Sequence, residues 1–225
     1  MEGDDEQIRV KDKIPADLQS VFPFEYFNEM QSALLKQVYD SDVNMTVAAP
    51  TGSGKTVVCE LAILRLLKKY RISELKCIMI TPNKALCQQK MKEWNKCFGQ
   101  LGLSVLELTG DSFLQHSLRL VARANIIITT PEKWDCMTRS WRQHVFLLGA
   151  IDLLIIDEIH HLGEDNRGAT LEAVIVRMRT LNNIYQEKVP QGNVHRTPMR
   201  IVSLSAALPN VSDIGEWLQC GYVRV

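Results

Sequence analysis

The sequence predicts an α/β fold: one mostly parallel sheet with helices on both faces. Six short apolar runs recur along the chain, NMTVAA (44–49), KCIMIT (76–81), SVLELT (104–109), NIIITT (125–130), LLIID (153–157) and RIVSLS (200–205). Between them lie stretches with helical spacing, at 55–69, 84–97, 112–122, 131–141, 170–182 and 210–219. The runs are near-continuously apolar, the pattern of strands buried on both faces beneath crossover helices. Six such units fit one doubly wound domain, in which ligands gather at the carboxyl ends of the strands.

Composition narrows the class. Of 225 residues, 46% are hydrophobic and 23% charged, enough apolar material for a sizeable core. No apolar run reaches the ~18 residues a membrane-spanning helix needs. The opening MEGDDEQIRVKDK lacks the basic-then-apolar order of a secretory signal, so a reducing interior compartment is expected. The six cysteines show no C-x-x-C spacing and read as structural thiols. Lys and Arg number 26 against 26 Asp and Glu, so net charge leaves no footprint for nucleic acid, although a local groove can still be basic.

Taken in order, residues 1–20 lack periodicity and read as a flexible tail, with the domain spanning 21–225. VFPFEYFNEMQSALLKQVY then supplies an aromatic cluster followed by helical spacing. The first strand runs into Pro50-Thr51-Gly52-Ser53-Gly54-Lys55-Thr56, and a helix follows directly. This is phosphate-binding-loop spacing, with Ala49 where the simplest pattern has its first glycine. Gly52 and Gly54 let the backbone curl so that successive N–H groups converge on a phosphate at the positive end of the helix. Lys55 can reach the β- and γ-phosphates, and the Thr56 hydroxyl is placed for Mg²⁺. A Gly-Ser turn that happens to contain a lysine is the plain alternative, and the flanking strand and helix weigh against it.

The second and fourth strands end in Thr81-Pro82 and Thr130-Pro131, each followed by a helix containing a lysine (Lys84, Lys133). Proline at a helix start has a structural reason of its own. Together with Thr109-Gly110 after the third strand, however, these ends share one edge of a parallel sheet. N–H groups, hydroxyls and Lys84 could there follow a phosphodiester backbone without reading bases. The fifth strand, LLIID, ends on Asp157-Glu158. Two acids at a buried strand end are costly unless a cation offsets them. Asp157 is expected to hold Mg²⁺ and Glu158 to deprotonate the attacking water in phosphoryl transfer. His160 and His161 follow, and His161 suggests no role beyond surface or capping. NIYQEKVPQGNVHRTP (183–198) reads as a surface loop before the last strand. That strand ends in SLSAALPN (203–210), which has no charge and no obvious reactive group.

With these residues assembled, the chain resembles the first RecA-like domain of a superfamily 2 helicase. APTGSGKT, TPNKAL, LTGD, TPEK, DEIH and SAA match that family's motifs in order, over about residues 22 to 225. The resemblance implies an ATP-binding P-loop domain with Lys55, Asp157 and Glu158 catalytic and Thr56 and Asp157 holding Mg²⁺. Gln31, Thr51, Gly52, Ser53, Gly54, Lys55 and Thr56 would bind the nucleotide, Gln31 through adenine with Phe24 and Phe27 nearby. Pro82, Lys84, Thr109, Gly110, Thr130 and Pro131 would contact single-stranded nucleic acid, and His160, Ser205 and Ala207 would couple the two sites. FNEMQS, the histidine-ended DEIH, DNRGATLEAVIVRMR and DIGEWL resemble the subgroup of spliceosomal, repair and meiotic crossover helicases, and KWDCMTRSWR and ELTGDS are most similar to the Mer-type DNA helicases within it. That implies a nuclear, ATP-dependent DNA helicase, with RNA the alternative substrate. It also implies a second RecA-like domain carrying transition-state arginines. Since the sequence in hand ends at Val225, the chain alone is expected to hydrolyse ATP slowly if at all, and a non-catalytic binding module is the competing reading. A small-molecule kinase would call for an arginine-rich lid, which the sequence lacks. Ala207 departs from the family's Ser-Ala-Thr, removing a hydroxyl and pointing to altered coupling.

Overall fold

In the computed structural model, which describes residues 7–110, 114–164, 167–188, 197–206 and 210–224, the six apolar runs form β1 (Met45–Ala48), β2 (Cys77–Ile80), β3 (Val105–Leu108), β4 (Ile126–Thr129), β5 (Leu153–Ile156) and β6 (Arg200–Ser205). All but β3 are buried at every residue, as strands covered on both faces must be. A seventh strand, β7 (Gly221–Arg224), has no counterpart in the sequence reading, because GYVR is exposed and lacks an apolar run. It forms where the chain returns beside β1. The sheet order is β3-β4-β2-β5-β6-β1-β7, with every pairing parallel. The segments that follow the strands therefore all leave from one edge.

The helices are α1 (Val10–Lys13), α2 (Glu29–Tyr39), α3 (Lys55–Lys69), α4 (Lys84–Cys97), α5 (Leu114–Arg123), α6 (Pro131–Thr138), α7 (Val145–Leu148), α8 (Gly168–Lys188) and α9 (Val211–Leu218). Both α3 and α4 keep the bounds read from sequence. Asn83 caps α4 by accepting from Leu86 N at 3.0 Å, and Thr130 caps α6 with Pro131 in its first turn. Two bounds differ. α6 stops at Thr138, and a 3₁₀ turn and the short α7 follow. α8 runs on to Lys188, so residues 183–188, expected as loop, are helical; NIYQEK holds no helix breaker before Pro190. Residues 189–196 lie outside the described residues.

The tail reading is corrected over residues 7–20. Val10 and Ile14 are buried, and Val10 N and Phe27 N donate to Glu25 O and Ile8 O, both at 2.9 Å. One turn of helix with two apolar residues is too short to show as periodicity, so only packing reveals it.

Alternate residues of each strand feed two cores. Val47, Met79, Ile128, Ile155 and Val202 pack under α2, α3 and α4, while Ile78, Ile80, Ile127, Leu154, Ile156 and Ile201 face α5 to α9. Arg200 opens β6 with 4% of its surface exposed. Its guanidinium donates to Val38 O (2.8 Å) and Gln37 O (3.0 Å), satisfying carbonyls at the end of α2, and to Val43 O (2.9 Å) in the connection to β1. Burial pushes its pKa down to about 10. Replacing Arg200 with Met leaves those carbonyls buried without donors. We expect Arg200→Met to lower stability by about 3 kcal/mol in urea unfolding, without changing the nucleotide affinity of the folded protein.

Candidate nucleotide and nucleic-acid site

The loop after β1 takes its shape from two glycines. Gly52 (φ 85°) and Gly54 (φ 84°) occupy the left-handed region, which suits residues without a Cβ. A Cβ on Gly54 would also strike the Gln31 amide. Lys55, the first residue of α3, folds its ammonium back onto the carbonyls of Ala49 (2.6 Å) and Pro50 (3.0 Å). Ser53 Oγ is buried with no hydrogen-bond partner. A buried hydroxyl, a lysine held by its own loop and a helix N-terminus together fit a phosphate group.

Gln31 holds the loop from α2. Its Oε1 accepts from Asn28 N (3.0 Å) and its Nε2 donates to Gly54 O (3.3 Å). Asn28 completes the capping box by accepting from Gln31 N (2.9 Å), and its Nδ2 donates to Ser53 O (2.9 Å). Asn28 is a site residue the sequence reading missed, though N-x-x-Q ahead of an apolar run was the signal for it. Phe27 is fully buried and packs edge-to-face with Phe22 and Phe24, which places it in the core.

Asp157 and Glu158 leave β5 toward the same edge. Burial raises the Asp157 carboxyl to about 6, the neighbouring Glu158 adds to the rise, and the charges of Lys90 and Lys55 oppose it. Glu158 sits at φ 54°, a left-handed conformation uncommon for a residue with a side chain and found mostly at constrained sites. Its Oε2 is buried without a hydrogen bond, 3.2 Å from His160 Nδ1. The other neighbour of His160 Nδ1 is Ser205 Oγ, at 3.4 Å. Ser205, His160 and Glu158 are therefore brought together, while Ala207 lies outside the described residues. His161 pairs with Glu164. The Asp157 carboxylate and the Thr56 hydroxyl are hard-oxygen donors of the kind that suit Mg²⁺.

Thr56 Oγ1 accepts from Lys90 Nζ at 3.1 Å, a contact absent from the sequence reading. One turn further along both helices, Trp94 Nε1 donates to Glu60 Oε1 at 3.2 Å. α3 and α4 thus form a two-rung ladder, Thr56 to Lys90 and Glu60 to Trp94. Burial pushes the Glu60 carboxyl up to about 7 against the pull of Lys90 and the indole N–H.

The expected nucleic-acid residues gather beside these acids. Pro82, Lys84, Gly110 and Thr130 line a groove of about 620 Å³ together with Asn83, Glu132, Lys133, Cys136 and Arg167. Pro131 lines a smaller adjoining cleft with Thr81, Asp157, Glu158 and Arg167. Thr109 turns away, its hydroxyl donating to Glu107 Oε1 at 2.6 Å. Arg167, in neither case read from sequence, borders both spaces. Its neighbour Gly168 presses on the backbone of His161 and Leu162, where a Cβ has no room.

The DEAD/DEAH box helicase family profile matches residues 28–214. The protein named "Probable ATP-dependent DNA helicase HFM1" of Mus musculus is 43% identical over 212 residues, covering 93% of this chain and 14% of that protein. The "ATP-dependent DNA helicase MER3 homolog" of Oryza sativa subsp. japonica is 42% identical over 228 residues, covering 96% of this chain and 18% of that protein. The chain thus spans less than a fifth of the length of these relatives. The crystal structure of the DUF1998 helicase MrfA bound to DNA superposes with a TM-score of 0.78 at 19% identity, over 98% of this chain and 30% of that one, a likeness of fold.

The position of Glu60 sets a pH dependence. The unfolded carboxyl loses its proton near pH ~4.5, whereas the folded one keeps it to about pH 7. Across that window the folded state binds more protons, so the Glu60 contribution makes stability fall as pH rises. We expect Glu60→Gln to reduce by about 2 kcal/mol the loss of unfolding free energy between pH 5 and pH 8, measured by urea denaturation. Equal losses in wild type and variant would count against a raised Glu60.

Proposed function

The chain belongs to the DEAD/DEAH box helicase family, and from that premise we propose that it is the first RecA-like domain of a nuclear, ATP-dependent helicase that moves on single-stranded DNA during meiotic recombination. One observation carries the reading. The loop of β1 and the acids of β5 meet at one edge of the sheet, close enough for Lys55 to act on Asp157, and a groove lined by Lys84, Lys133 and Arg167 opens beside them. The names of the relatives above favour DNA over RNA.

In this reading, backbone N–H groups of 52–56 and the Ser53 hydroxyl hold the phosphates of ATP at the N-terminus of α3. Lys55 leaves its two carbonyls for the β- and γ-phosphates, and Gln31 and Thr51 border the nucleotide, Gln31 on the adenine side. Thr56 and Asp157 would hold Mg²⁺, which when bound neutralises charge on the phosphate oxygens. Glu158 accepts the proton of the attacking water at its carboxylate. The orientation of that carboxylate depends on His160, which Ser205 holds from β6, so a change at the γ-phosphate reaches the strand ends through this short chain. Single-stranded DNA lies across Pro82, Lys84, Gly110, Thr130 and Pro131, held by its backbone. A second RecA-like domain in cis supplies the arginines that stabilise the transition state.

Three variants test this in the protein that carries the domain, with a fluorescent ATP analogue for binding and phosphate release for turnover. Lys55→Ala is expected to weaken nucleotide binding. Glu158→Gln is expected to keep binding and lose roughly 10²- to 10⁴-fold in DNA-stimulated turnover. Ser205→Ala is expected to keep nucleotide affinity and lose stimulation by DNA; altered affinity with intact stimulation would rule out the relay. Turnover that survives Glu158→Gln would refute the catalytic assignment. In a salt series with matched single strands, each phosphate contact should add about −0.7 to the slope of log affinity against log salt, and tighter binding to RNA than to DNA would overturn the choice of substrate.

A further inference from the structure

Lys90 belongs to none of the sequence motifs that mark the site, yet its ammonium lies within the nucleotide site. It reaches from α4 to donate to Thr56 Oγ1 at 3.1 Å and pairs with Glu93 Oε2 at 2.9 Å, with its side chain only 13% exposed. Thr56 is the hydroxyl assigned to Mg²⁺. The same ammonium acts electrostatically on Asp157, the other assigned ligand, and on Glu60 behind it. Lys55, the other cation acting on Asp157, has its donors turned to the carbonyls of Ala49 and Pro50. Lys90 thus supplies the positive charge that is hydrogen-bonded directly to the ligand set.

We propose that Lys90 is a built-in counter-ion of the metal site: without nucleotide it holds the Thr56 hydroxyl and offsets the charge of Asp157 and Glu60, and Mg²⁺ and nucleotide must together move it aside. An ammonium and a divalent cation cannot share one hydroxyl and one carboxylate without strong repulsion in a poorly hydrated setting. Lys90 is in this sense a positioning residue that sets how much Mg²⁺ nucleotide binding requires, a property that follows from the geometry of the α3–α4 ladder. The inference rests on the nucleotide reading above.

The test measures two quantities, and loss of a merely structural lysine would lower the first without lowering the second. One is the melting temperature without nucleotide, and the other is the Mg²⁺ concentration giving half-maximal binding of a fluorescent ATP analogue. In Lys90→Met the buried acids lose their counter-ion, so the melting temperature should fall by about 3–6 °C. The metal meets less repulsion, so half-maximal binding should require roughly tenfold less Mg²⁺. Lys90→Arg should restore both values toward wild type. Lys90→Gln, which can keep the hydrogen bond without the charge, serves if the Met variant fails to fold, and should show the same lowered Mg²⁺ requirement. An unchanged or higher Mg²⁺ requirement in the uncharged variants overturns the proposal while leaving the nucleotide reading intact. Wild-type protein that binds no nucleotide at any Mg²⁺ concentration overturns both.

Discussion

A carboxylate at the end of a fully buried strand is expensive to keep charged, and much of this site is arranged around that cost. Asp157 follows β5, whose four residues are all buried, and it is followed at once by a second acid. Water is a poor remedy there, so the offsetting charge comes from the protein, from Lys55 on α3 and Lys90 on α4. That requirement ties three elements to one point. α3 must begin where β1 ends, α4 must lie beside α3 with Lys90 facing Thr56, and β5 must end between them. The sheet order supplies this geometry, since β6 alone separates β5 from β1. At a strand spacing of ~4.8 Å, the two loops stand roughly 10 Å apart, a gap that suits a chain of phosphates.

The same edge links the acids to the groove. Gly168 lies against the backbone just past the acid pair, so α8 starts at a fixed distance from Asp157 and Glu158. Two and a half turns later Arg177 donates to Asp135 Oδ1 at 2.8 Å, and Asp135 also holds Arg139 at 2.6 Å. Asp135 lies on α6, the helix that opens with Thr130 and Pro131. Trp134 of α6 donates to Met178 Sδ at 3.2 Å beside it. A displacement of the turn after β5 would therefore carry α8 and α6 together. On the other side of β5, the contact of His160 with Ser205 connects the acids to the end of β6. The bland SLSA run contributes two hydroxyls, Ser205 toward His160, 45 residues earlier, and Ser203 paired with Thr46 of β1 at 2.8 Å.

Much of this was legible in one dimension. Apolar runs gave six strands within a residue or two, and the bounds of α3 and α4 needed no tertiary information, because Gly54, Asn83 and the helical spacing are local signals. The loop 50–56 and the pair Asp157-Glu158 could be read because their chemistry is set by contiguous residues. Errors arose where packing overrides a weak local pattern. α1 is one turn long, β7 is an edge strand made by its neighbour, and 183–188, read with the Pro- and Gly-bearing stretch that follows it, continues α8.

What the sequence determined by itself was which segments are buried, in what order they alternate, and which chemistry each strand end carries. Tertiary structure alone decided which of those ends meet and which side chains serve them. Lys90 faces Thr56 across 34 residues, Arg200 caps α2 across more than 150, and Arg167 borders both cavities only because Gly168 packs against the turn after β5. The reason is physical. Backbone conformation and burial follow from neighbours in sequence, through sterics and hydrophobic periodicity. Charge compensation and hydrogen bonding of buried groups depend on distance in space, which exists only once the helices have packed on the sheet.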